Sequence, residues 1–381
     1  MITAEEYTLL QSDEVQRAIA AARGRDPLEV ALDRTVPQSR LVATQVKYLA
    51  RAEHKLPSYA AAGCILPPRA FEQASSEAAA AHKTIEGDSV LDLTCGLGVD
   101  ALALSRRFRR VVALERDPVL ARITADNFSR MGVKNIEVVN IAAEEYLAGN
   151  PGRFDWVYAD PDRRSAEGRK QVRLEACSPD ITALRPLIAR VTERLCVKNS
   201  PLFDVDEALR LFPRSRVEVL SIGNECKEVV VYDDASGPLV EATALGTGHF
   251  AAVPSTEVPE APRFDPTRYG WLVVPDVALQ KARLTRLHLA GKADCWSDNG
   301  FGFAVDQPRG VIGRVLPVER IERFDPKLLK RQLKGLGVEL LKRDFPLAAE
   351  ELQRRLGVHA GSERRLAFTK IGNDFWAIHL K

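Results

Sequence analysis

Two carboxylates and two guanidiniums stand together at Asp160-Pro161-Asp162-Arg163-Arg164, directly after the apolar run Trp156-Val157-Tyr158-Ala159. Pro161 fixes φ and forces a turn, so Asp160 is held at the mouth of a strand, where open α/β sheets bind their ligands. An acid in that place can orient an N–H or accept its proton, and Asp162 is the second candidate catalytic acid. Arg163 and Arg164 are candidate substrate contacts, able to stack on a base or bind a phosphate bidentately. Paired with Asp162 at the surface, the same arginines would contribute little.

A second group lies upstream in "VLDLTCGLGVDALALS", residues 90 to 105, which reads as strand, turn and helix. Gly96 and Gly98 remove side chains where backbone must approach a ligand, and the helix start offers free amides. The spacing also fits a dinucleotide loop, but Asp92 precedes the first glycine and would repel a pyrophosphate while suiting a cationic amino acid end. Glu115 ends the next apolar run, "RVVALE", where a carboxylate can accept both hydroxyls of a ribose. A nucleoside joined to an ammonium-bearing chain is S-adenosylmethionine. Lys198 and Asn199, ending "RLCVKNS", and Asn224 and Lys227, in "GNECKE", complete the candidate substrate contacts.

These residues need a scaffold, and the pattern of the chain supplies one. Residues 1–85 are Ala-rich and amphipathic, with "EVQRAIAAARG" ending at Gly24 and "SRLVATQVKYLARAEHKL" stopped by Pro57, which predicts a helical region. From Ser89 short apolar runs alternate with helical patterns, which predicts an α/β Rossmann-like domain over residues 86–245 with a mainly parallel sheet. "CKEVVVYD" and "PLVEATAL", separated by "DASG", read as a hairpin closing that domain. The Pro-rich "AAVPSTEVPEAPRFDPTRYG" marks a boundary, and the remaining chain reads as small α+β units over 246–320 and 321–381. Six scattered cysteines show no metal or disulfide spacing, so a reducing cytoplasm and no metal are expected. The acidic start has no leader pattern and no run is long and apolar enough for a membrane, so a cytoplasmic protein without membrane partners is expected. Residues 326–381 hold 12 Lys/Arg against six Asp/Glu, which concentrates basic charge at the C-terminus.

In order and spacing, Asp92 to Gly98, Glu115 and Asp160 to Asp162 resemble the first motif, the ribose acid and the catalytic loop of class I S-adenosylmethionine-dependent methyltransferases. The resemblance implies that Asp92, Thr94, Gly96 and Gly98 line the methionine end of the cofactor, with Asp100 beside it and Arg116 flanking the adenine. Ala142 stands where the family often has an adenine-binding acid, leaving backbone amides or Glu144 for that task. The family's amino methyltransferases carry Asp-Pro-Pro-Tyr where this chain has Asp162 and Arg163, so the usual adenine-N6 chemistry is not expected. "SSEAAAAH" resembles the helix of cap-guanosine methyltransferases that touches the cofactor, which gives Ser76 and Glu77 the same role; as an N-cap and a first-turn acid they would serve the helix alone.

"KLP" at 55–57, "FEQASSEAAAAHK", "DPDRR", "VKNSPLFD", "NECKE", "GRVLPV" and "FPLAAEEL" extend the likeness, resembling bacterial methyltransferases with a ferredoxin-like insert and a THUMP-like C-terminal domain. That likeness implies an RNA substrate, tRNA or rRNA. The basic stretch following Asp162 and the basic C-terminus are in keeping with it. Other readings remain open: a small-molecule or protein substrate, or an inactive methyltransferase fold that binds RNA.

Overall fold

The computed structural model describes residues 2–162 and 174–381. The chain divides into two compact units, Met1–Phe203 with Val231–Asp234, and Asp204–Val230 with Ala235–Lys381.

The first unit begins with helices α1 (Ala4–Gln11), α2 (Asp13–Ala22), α3 (Pro27–Leu32), α4 (Ser39–Lys55), α5 (Pro57–Ala61), α6 (Pro68–Gln73) and α7 (Glu77–His82). Local chemistry sets where they start. Thr3 and Glu6 form a reciprocal capping box, Ser12, Asp26 and Ser76 accept first-turn amides, and Pro27, Pro57 and Pro68 occupy first-turn positions that need no N–H. In α4 the buried Val42, Val46 and Leu49 recur at helical spacing and face the interior. The expected helical region is thus present, and α4 ends just before Pro57 as its sequence requires.

Among the described residues, nine strands of the first sheet come next: β1 (Gly87–Asp92), β2 (Phe108–Leu114), β3 (Ile136–Val139), β4 (Trp156–Ala159), β5 (Leu195–Asn199), β6 (Arg216–Ile222), β7 (Glu225–Asp233), β8 (Leu239–Ala244) and β9 (Gly248–Ala252). Helices α8 (Val99–Leu104), α9 (Pro118–Arg130), α10 (Ala143–Ala148) and α11 (Ile181–Val191) link the first five strands, and α12 (Val205–Leu211) precedes β6. In the first unit the strand order is β3-β2-β1-β4-β5, all parallel, continued by the end of β7. β4 and β5 are buried along their whole length, as strands covered on both faces must be. The order reverses between β1 and β4, which opens a ligand crevice at their carboxyl ends.

In the second unit the start of β7 is followed by β6, β8 and β9. The expected hairpin between "CKEVVVYD" and "PLVEATAL" does not form: β8 runs parallel to β6 and antiparallel to β9. The tight turn lies one step earlier, at Gly223 (φ 60) and Asn224 (φ 62), a pair of left-handed residues that favours a two-residue hairpin between β6 and β7. With β6 already beside β7, β8 adds to the free edge of β6.

The unit continues with β10 (Trp271–Pro275), α13 (Val277–Lys281), α14 (Thr285–Leu289), β11 (Gly302–Ala304), β12 (Gly313–Arg323), α15 (Pro326–Leu333), β13 (Gly337–Lys342), α16 (Ala349–Leu356), β14 (His359–Ala360), β15 (Arg364–Ile371) and β16 (Asp374–Leu380). Its second sheet has the order β11-β10-β12-β16-β15-β13-β14. Alternation along the last two strands feeds two cores: Leu366, Phe368 and Ala377 join Leu329, Leu333, Leu352 and Leu356 of α15 and α16, while Trp376 and Ile378 join Leu272 and Phe303.

Candidate active site

The carboxyl ends of β1, β2, β4 and β5 present Asp92, Glu115, Asp160 and Lys198. Asp92 closes β1. One carboxylate oxygen, Oδ1, accepts the Thr94 amide at 2.9 Å; the other, Oδ2, is buried and has no hydrogen-bond partner among the described residues. Burial above all, with Asp100 and Asp160 adding repulsion, pushes this carboxyl up to about 8.

The loop after Asp92 is shaped by two glycines. Gly98 has φ +83, and a Cβ there would lie 2.4 Å from Phe128 Cζ and 2.8 Å from Thr124 Cγ2. Gly96, at φ +56, donates its amide to Glu115 Oε2 at 2.9 Å, while the Asp117 amide donates to Oε1 at 2.8 Å. Thr124 Oγ1 donates to the Gly96 carbonyl and Tyr59, from α5, to the Leu97 carbonyl, so the loop is fixed from two sides. Burial raises Glu115 despite those amides.

These residues fit a cationic nucleoside. The unpartnered Asp92 oxygen calls for a donor such as an ammonium, and each Glu115 oxygen retains a lone pair for a diol hydroxyl. A Cβ at position 98 would collide with α9, which accounts for the glycine.

Thr94 joins the two strands it lies between, since the Asp160 amide donates to its hydroxyl at 2.6 Å. The Asp160 side chain is partly exposed and ion-paired through Oδ2 with the nearly buried Lys198. Asp100, expected beside the methionine end, is engaged elsewhere: Lys83 Nζ lies 2.9 Å from Oδ1, and Ser75 donates to Oδ2 at 2.8 Å. Burial would raise Asp100, but the ammoniums of Lys83 and Lys198 outweigh it and hold the carboxyl low. Asp162 exchanges backbone hydrogen bonds with Ser178, and its carboxylate accepts from Gln73 at 3.4 Å and lies 3.7 Å from Arg69. Arg163 and Arg164 lie outside the described residues.

The remaining expected contacts divide. Arg116 is exposed and donates to Ser178 Oγ at 3.0 Å. Ala142 is the N-cap of α10 with extended backbone, and Glu144 is exposed in the first turn. Ser76 caps α7 through the Ala79 amide, and Glu77 accepts from both the amide and hydroxyl of Ser58, so both side chains are occupied in holding helices. Asn199 is buried at the end of β5 and donates to the Val197 carbonyl. Asn224 and Lys227 belong to the second unit, where Asn224 forms the turn and accepts from the Val277 amide and Lys227 pairs with Glu225 at 2.7 Å.

Lys83 and Ser75, both before β1, are site residues that the sequence pattern does not single out. Among the described residues no cluster of His, Cys, Asp and Glu could hold a metal ion, and no helix is long and apolar enough to cross a membrane.

The chain is similar to several known proteins. Residues 76–174 match the family described as Conserved hypothetical protein 95, and residues 313–381 match the THUMP domain-like family. A Mycobacterium tuberculosis protein described as an uncharacterized S-adenosylmethionine-dependent methyltransferase is 26% identical over 313 residues, covering 80% of this chain and 84% of that one. Ribosomal RNA small subunit methyltransferase J of Coxiella burnetii is 34% identical over 96 residues, covering 23% of this chain and 38% of that protein. The crystal structure of a candidate methyltransferase from Porphyromonas gingivalis W83 superposes with a TM-score of 0.81 at 23% identity, covering 100% of this chain and 99% of that one. The chain therefore shares the α/β fold of the Porphyromonas protein, with a Conserved hypothetical protein 95 segment around its glycine loop and a THUMP-like segment at 313–381.

Proposed function

We propose that the protein is an S-adenosylmethionine-dependent methyltransferase that acts on RNA, tRNA or rRNA, in the cytoplasm. The observation that carries the cofactor assignment is the buried Asp92 oxygen without a partner among the described residues, set beside a glycine loop whose backbone is held by Glu115. Asp92 would take the ammonium of the amino acid end, Glu115 the ribose hydroxyls, and Gly96 and Gly98 would let the backbone approach. When bound, the cofactor supplies a methyl group already activated on a sulfonium. The protein's part is then mainly positioning. Asp160, held by Thr94 and Lys198, would orient the acceptor and take its proton, and Asp162 would hold the loop against α6 through Gln73 and Arg69.

The RNA assignment rests on the THUMP-like segment, on the name of the Coxiella relative, and on basic residues exposed on α15 and α16, Lys327, Lys330, Arg331, Arg354 and Arg355. On this reading the chain comprises a helical region to about residue 85, a cofactor-binding domain to about 245, a ferredoxin-like segment to about 320 and a THUMP-like segment beyond. The test is incubation of the purified chain with radiolabelled S-adenosylmethionine and fractionated cellular RNA. Label should enter a tRNA or rRNA fraction, and label entering protein or small molecules alone would overturn the RNA assignment.

A further inference from the structure

Lys198, expected to touch substrate, has a different setting. Its side chain is 10% exposed, and its ammonium pairs with Asp160 Oδ2 while lying 3.9 Å from Asp100 Oδ2. Asp100 in turn carries Lys83 on its other oxygen, and Lys83, 2% exposed, also donates to the Ala79 carbonyl. Charges thus alternate in a row from the mouth inward: Asp160, Lys198, Asp100, Lys83. Burying two lysines in this way gives little stability for its desolvation cost, which points to a role beyond holding the fold.

We propose that Lys198 is a positioning residue for methyl transfer: backed by the Asp100–Lys83 pair, it keeps Asp160 ionised and ties down its Oδ2. The inference rests on the methyltransferase reading above. Asp160 is faced by Lys198 from β5, by Asp100 from α8 with Lys83 behind it, and by Asp92 from β1. Burial pushes its carboxyl up and Asp100 adds to that, while Lys198 and Lys83 oppose them. With S-adenosylmethionine bound and an N–H nitrogen as acceptor, the nitrogen would gain the methyl as the sulfonium S–CH3 bond breaks and the thioether leaves, and the nitrogen's proton would pass to Asp160 and then to water. Lys198 transfers no proton in this step. A neutral Asp160 could not take the proton, so loss of Lys198 would appear as a pH effect.

The test reads the Asp160 carboxyl directly and needs no acceptor. In the full chain, infrared pH titration with the Asp160→Asn spectrum subtracted gives its midpoint. Lys198→Met should raise that midpoint by about 1–3 units, Lys83→Met should raise it by less, and Lys198→Arg should leave it within about half a unit. Cooperative denaturant unfolding with a wild-type slope checks that each variant is folded. An unchanged midpoint in a folded Lys198→Met protein would overturn the proposal. Should Lys198→Met fail to fold, Lys83→Met decides: a raised midpoint supports the row of charges, an unchanged one overturns it. In methyl transfer to bulk rRNA the acidic limb of the Lys198→Met profile should move alkaline by the same amount, with activity recovered at high pH; uniform loss at every pH contradicts the proposal. A wild-type chain that binds no cofactor and labels no acceptor counts against the methyltransferase reading instead, and the titration still judges Lys198.

Discussion

Asp92 holds a buried oxygen with no partner among the described residues, and that cost has a readable consequence without cofactor. Its carboxyl, pushed up to about 8, lies above the usual carboxylate range near 4, so the folded state prefers the protonated form. The stability this group contributes is therefore full below about pH 4 and is lost as pH rises toward about 8. Asp92→Asn removes the penalty. Denaturant unfolding of the free protein should show the variant more stable than wild type by on the order of 3 kcal/mol at pH 8.5, with a smaller gap at pH 5. The same change should cost cofactor affinity, a stability gained at the expense of binding. Gly98→Ala should fail differently: φ +83 and a Cβ 2.4 Å from Phe128 predict a loss of about 1–3 kcal/mol in unfolding free energy and weakened cofactor binding together. Asp92, Gly96, Gly98 and Glu115 were legible in sequence because each answers a local demand, backbone approach or charge at a strand end. Lys83 was not, because its partner Asp100 comes 17 positions later and only the packing of α7 against α8 brings them together.

Elements outside the parallel sheet build much of the site. Helices α5 to α7 and the turns between them supply Tyr59 to the Leu97 carbonyl, Gln73 and Arg69 to Asp162, and Ser75 and Lys83 to Asp100. Glu77 fastens α7 to the start of α5 through Ser58. Glu77→Ala should then lower unfolding free energy by about 1–2 kcal/mol, while a titration with S-adenosylhomocysteine shows affinity within about threefold of wild type. A tenfold loss of affinity with unchanged stability would instead give Glu77 the cofactor contact implied by its resemblance. The alternating strand and helix pattern made the α/β core readable, but strand partners are chosen by the whole sheet. "DASG" looked like a hairpin turn, whereas Gly223-Asn224 supplied the residues a tight turn demands. The chain after Gly223 therefore enters β7 beside β6, and β8 pairs with β6.

At the scale of the whole molecule, charge is uneven: a net of +2 overall conceals 12 Lys/Arg against six Asp/Glu in residues 326–381. Lys327, Lys330 and Arg331 are exposed on α15 while Leu329 and Leu333 are buried. Reversing these three charges to Glu should leave the fold intact and weaken RNA binding by about tenfold or more in a filter or gel-shift assay, with a shallower dependence on salt. The cofactor side of the account needs only one experiment, calorimetric titration of the purified chain with S-adenosylmethionine at neutral pH. Micromolar-range binding is predicted, weakened at least about tenfold, or about 1.4 kcal/mol, by either Asp92→Ala or Glu115→Ala. No binding, or binding that neither substitution disturbs, would contradict the claim that an acidic mouth at the ends of β1 and β2 receives a cationic nucleoside.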